Sequence, residues 1–99
     1  MTLATVRPGP RKGVYNIVVE TLKPLENTWL ITELGYDPVA VSKLQGVYVK
    51  QVTWRKLWRE IETLESRGVE IVVSPKLRHV HRKWVVRRFT ENARRLIHQ

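Results

Sequence analysis

Residues 46–73 read GVYVKQVTWRKLWREIETLESRGVEIVV, and two hydrophobic periods alternate within them. In residues 46–52, Val47 and Val49 fall on one face while Tyr48, Lys50 and Val52 fall on the other, the two-residue period of a strand. From residue 53 the period changes. Trp54, Leu57, Trp58, Ile61 and Leu64 recur at helical spacing, with Arg55, Arg59, Glu62 and Ser66 on the opposite side. Gly68 suits the residue after a helix end, and residues 69–73 (VEIVV) are a short apolar run of the kind a buried strand shows. Together they predict a β-α-β unit whose two strands run parallel with a right-handed connection.

Upstream, residues 14–22 (VYNIVVETL) are rich in β-branched side chains and suit a strand, although Ile17, Val18 and Thr21 also tolerate a helix. Lys23-Pro24 ends it. Asn27 suits a helix N-cap for residues 28–34, with Gly35 beyond the last turn. Asp37-Pro38 is the start expected of a second short helix ending near Gln45. Residues 1–13 hold Pro8, Gly9, Pro10 and Gly13 among Arg7, Arg11 and Lys12 and predict a flexible basic arm before a single domain over residues 14–99. Downstream, Ser74-Pro75 allows two continuations. One is a long basic helix to His98 with Leu77, Val80, Trp84, Phe89, Ala93 and Leu96 inward. The other is a turn, a strand over residues 79–86 and a short helix from Thr90. The β-branched Val80, Val85 and Val86 lean toward the strand. The fold class expected is α/β or α+β, a small single domain with a central β-α-β unit and a basic C-terminal segment.

Composition bounds the function classes. Ninety-nine residues carry 18 basic and 9 acidic side chains, a net charge of +9. Up to Lys50 the chain has six bases and four acids; beyond it twelve and five. Residues 76–99 alone hold eight bases against Glu91. Such a field attracts polyanions, of which nucleic acid is the commonest inside cells. The phosphate-contacting residues expected are Lys76, Arg78, Arg82, Lys83, Arg87, Arg88, Arg94 and Arg95, joined by Arg55 and Arg59 from the exposed side of the central helix. Eleven arginines against seven lysines suit bidentate phosphate contact. Cysteine is absent, which removes disulfides, cysteine zinc sites and thiol catalysis. No apolar run approaches a membrane span, and no signal peptide is visible at the start. A cytoplasmic nucleic-acid-binding protein is expected, of DNA or RNA, with no membrane, no metal and no cofactor, and with a homodimer among its allowed states. Abundant Val and Arg with one Met lean toward a thermophilic source.

Three resemblances sharpen the alternatives. The run GVYVKQV, the helix, RGVEIVVSPK (residues 67–76) and HVHRKWVV (residues 79–86) resemble half of a phospholipase D-like nuclease domain, with His81-Arg82-Lys83 in the place of its H-x-K motif. That resemblance implies His81 as the nucleophile on phosphorus and Lys83 as a phosphate clamp. Arg88 stands where the family has Asp, and its Gly-Ser-x-Asn element is missing, so the resemblance implies an inactive or purely binding descendant. His79-Val80-His81 is similar to the metal-holding motif of rolling-circle initiators and relaxases, with Tyr15, Tyr36 and Tyr48 upstream as in relaxases. Residues 57–69 (LWREIETLESRGV) resemble the end of a winged-helix recognition helix, with residues 37–44 (DPVAVSKL) as its companion. That resemblance implies Arg55 and Arg59 in the major groove and residues 76–88 as a basic wing.

Overall fold

The computed structural model describes residues 2–39 and 46–97. It is an α+β domain built on one mixed five-stranded sheet. The strands are β1 (Thr2–Pro8), β2 (Val14–Thr21), β3 (Asp37–Pro38), β4 (Val47–Thr53) and β5 (Glu70–Val73), in the order β3-β4-β2-β1-β5. The helices are α1 (Trp29–Thr32), α2 (Trp54–Ser66) and α3 (Arg78–Ile97).

The segment expected as an arm is strand β1, the fourth position of the sheet. Ala4 and Val6 are fully buried while Thr5 and Arg7 point to the other face. This short alternation pairs β1 antiparallel with β2 and parallel with β5. The prolines and glycines that suggest an arm belong instead to the β1–β2 hairpin. Gly9 N–H donates to the Val14 carbonyl at 2.9 Å, and Gly13 takes φ +82°, a conformation glycine adopts without strain.

The β-α-β unit forms, with a difference. β4 and β5 run the same way, but β2 and β1 lie between them, so α2 crosses over two strands rather than joining neighbours. Its apolar side, Leu57, Trp58, Ile61 and Leu64, covers the sheet face carrying Ala4, Val6, Tyr15, Ile17, Val19, Tyr48 and Val52. Leu30 and Tyr36 close the core at one side, and Leu77 and Val80 at the other. Asp37-Pro38 is a strand pair with β4 rather than a helix start; the rest of that expected helix, residues 40–45, lies outside the described residues.

Ser74-Pro75 takes the first of its two continuations. A 3-10 turn, Pro75–Leu77, runs straight into α3. Proline at the first position loses no hydrogen bond, and Ser74 N–H donates to the Val6 carbonyl at 2.9 Å. This directs the chain up from the sheet into a helix. Burial of Val80 and partial burial of Trp84 against the core outweigh the strand preference of Val80, Val85 and Val86.

Candidate nucleic-acid interface

Strand directions determine where the charges meet. β1, β4 and β5 are mutually parallel, so their C-terminal ends lie at one end of the sheet. The β1–β2 hairpin, the start of α2 and the start of α3 all emerge there. Trp54 N–H donates to the Gly13 carbonyl at 3.0 Å, which joins the start of α2 to the hairpin. The Ser74–Val6 bond joins the start of α3 to β1.

Three stretches far apart in sequence thus become neighbours: residues 7–13, 53–56 and 74–83. They carry nine cations (Arg7, Arg11, Lys12, Arg55, Lys56, Lys76, Arg78, Arg82 and Lys83) and no Asp or Glu. All nine are exposed. Among the described residues none of them pairs with a carboxylate. Elsewhere the ion pairs are local or cross-linking: Lys23–Glu26, Lys50–Glu60, Arg67–Glu33, Arg87–Glu91 and Arg88–Glu65.

The helices add to this field. A helix N-terminus carries a partial positive charge and normally attracts acids into its first turn. Here neither α2 nor α3 has an acidic residue in its first turn, and Arg55 and Lys56 occupy that of α2. Neither Thr53 nor Ser74 makes a side-chain capping bond. Placing cations on two positive helix ends lowers stability by a few tenths of a kcal/mol or more for each charge. The same arrangement gives an anion an unusually favourable approach.

A shallow groove of about 420 Å³ opens beside β1 and β5 at this end, lined by Thr5, Arg7, Pro8, Val72, Ser74, Pro75 and Lys76. Two cations and two hydroxyls around one groove are suited to phosphate oxygens.

The residues expected from sequence separate into two groups. Lys76, Arg78, Arg82, Lys83 and Arg55 belong to the charged end, and Arg59 lies exposed about one helical turn farther along α2. Arg87 donates to Glu91 at 3.2 Å and Arg88 to Glu65 at 3.0 Å. Arg94 and Arg95 are exposed in the last turn of α3. Arg7, Arg11, Lys12 and Lys56 are the additions that only the folded sheet brings in. In the sequence Arg7, Arg11 and Lys12 are signalled only as charges of a basic arm, and Lys56 only by its place beside Arg55.

The nuclease-like motifs do not assemble. His81 and Lys83 stand on α3, not on a strand, and two positions on a helix point about 160° apart. A nucleophile and its clamp therefore do not share a face. The same holds for His79 and His81, and among the described residues no group of three or more His, Asp or Glu side chains is placed to hold a metal. The helix-turn-helix arrangement is also not present among the described residues, because β4 directly precedes α2 and the helix packs on the sheet. Trp54 is held in an aromatic cluster with Trp58 at 5.2 Å and Tyr15 at 6.0 Å, and Trp84 packs on the core, so both serve packing. No helix among the described residues is long and apolar enough to cross a membrane.

The chain matches no protein-family model, no curated protein and no solved structure.

Proposed function

We propose that the protein binds nucleic acid through the phosphate backbone, using the end of the sheet where the β1–β2 hairpin, the start of α2 and the start of α3 converge. The observation that supports this most directly is the gathering of nine exposed cations, none of them paired with a carboxylate among the described residues, beside the N-terminal ends of two helices. Surface charge that serves only solubility is normally interspersed in sign; the three stretches that meet at this end carry no Asp or Glu at all. Arg7 and Lys76 flank the groove, Arg11 and Lys12 extend from the hairpin, and Arg78 and Arg82 share one side of α3. Contacts of this kind fix a duplex or single strand in place without reading its bases.

Two double variants with equal charge loss test the location. Arg7→Gln/Lys76→Gln is expected to weaken binding of a labelled oligonucleotide roughly tenfold or more at moderate salt. Arg94→Gln/Arg95→Gln, at the far end of α3, is expected to weaken it less than about threefold. Equal losses from both would assign binding to overall charge and overturn the proposed site.

A further inference from the structure

α3 turns the wrong side outward for a surface helix. Its inward side carries Val80 and Trp84 against the core and, farther on, Arg88 against Glu65. Its outward side carries Val85, Val86, Phe89 and Leu96, which are 51, 58, 75 and 76% exposed. Val86, Phe89, Ala93 and Leu96 are spaced three, four and three residues apart. That spacing is the seam of a helix that packs against another helix. The arginines of this stretch, Arg87, Arg88, Arg94 and Arg95, lie off the seam.

We propose that this seam pairs with the α3 of a second copy, antiparallel, about a two-fold axis near Glu91. Three features select that occupant. First, the matching seam is on α3 itself: the apolar side of α2 is already buried on the sheet. Second, antiparallel pairing about residue 91 sets Phe89 against the small Ala93 of the second copy and Val86 against its Leu96. Large faces small in the inner layer and two aliphatic side chains meet in the outer one, as dense packing allows. The positions flanking the centre, Thr90 and Asn92, are uncharged. Third, charge selects the orientation. Parallel pairing brings two strongly basic sheet ends side by side, whereas antiparallel pairing holds the two α3 starts about 40 Å apart.

Val86, Phe89 and Leu96 with the flanking Val85 offer roughly 450 Å² per copy, so a pair removes at most about 900 Å² from water, at the lower bound of a specific interface. The dimer is therefore concentration-dependent. It also gives the distal half of α3 the packing that a helix of this length otherwise lacks in water.

Sedimentation of the intact chain without nucleic acid, from micromolar to submillimolar protein, tests this. The mass is expected to rise from 11.7 kDa toward twice that value. Phe89→Glu is expected to hold it at one copy while circular dichroism shows the fold retained. A wild-type chain that stays at one copy throughout, or a dimer that Phe89→Glu leaves intact, overturns the proposal. Orientation is read from single cysteines in a chain that has none. An equimolar mixture of Val86→Cys and Leu96→Cys chains is expected to oxidise to a mixed disulfide dimer, because these two positions face each other across the antiparallel pair. Val86→Cys is expected to remain reduced, its two copies lying about 15 Å apart. The reverse pattern overturns the antiparallel arrangement.

Discussion

The Lys83 ammonium lies 5.0 Å from the centroid of the Trp54 ring, joining the second turn of α3 to the first turn of α2. The same ring stands edge-on to Trp58 and tilted against Tyr15. This contact holds the two helix starts together, so the cations around them present as one surface. Lys83 thus has two roles, as a charge and as a fastener.

The two roles separate on substitution. Lys83→Gln is expected to lower stability by about 0.5–1 kcal/mol through the lost contact with Trp54, measured by urea unfolding. Lys12→Gln removes the same charge from the exposed hairpin and is expected to leave unfolding unchanged. Both are expected to weaken nucleic-acid binding to a similar degree.

Lys56 exposes an opposition between stability and binding. It occupies the third position of α2, three residues after Thr53, where an acid completes a capping box and complements the helix dipole. Lys56→Glu is expected to stabilise the fold by about 0.5 kcal/mol, after a small repulsion from Glu60 one turn on. Affinity for oligonucleotides is expected to fall. Urea unfolding and a binding titration on the same variant check both signs; a variant that loses stability or keeps full affinity contradicts the account of this helix end.

Much of the framework is legible in residues 46–73, because strand and helix periods are local properties. β1 is not, since a cluster of Pro8, Gly9, Pro10 and Gly13 outweighs the short Ala4/Val6 alternation, and its pairing with β5 joins residues far apart in sequence. The charged end is hidden for the same reason. Arg7, Lys56 and Lys76 are scattered in sequence, and only the order β3-β4-β2-β1-β5 assembles them. The basic run in residues 76–99 is visible, yet a helix spreads its charges around and along its axis, leaving Arg94 and Arg95 far from Lys76.

Tyr36 sets the alkaline limit. It is 1% exposed, its hydroxyl has no hydrogen-bond partner, and the Lys50 ammonium lies 5.5 Å from its ring. Burial, reinforced by the nearby Glu60 carboxylate, pushes its ionisation well above the ordinary tyrosine range. The unfolded chain ionises this tyrosine near about pH 10 while the folded chain keeps it neutral. Its contribution is therefore complete below that pH and is lost as pH rises beyond it, by about 1.4 kcal/mol per unit. Tyr36→Phe is expected to flatten the fall in stability above that pH. At neutral pH it is expected to change stability by less than about 1 kcal/mol.

His81 projects away from Lys83 on α3, and the two do not converge on one phosphate. His81→Ala is expected to change oligonucleotide affinity less than about twofold. Hydrolysis of a chromogenic phosphodiester is expected to be the same for the variant and the wild-type chain. A hydrolytic rate that depends on His81 contradicts this reading of the helix.

The most direct test of the proposed phosphate contact is fluorescence anisotropy of the wild-type chain with labelled duplex DNA, single-stranded DNA and RNA across a salt series. Engagement of five to seven of the nine unpaired cations predicts a log–log slope of about −4.5 to −6.3 on duplex DNA, and a shallower one on single strands. Weak binding that ignores salt on all three ligands would contradict the central claim and leave the charged end to meet an acidic protein surface instead.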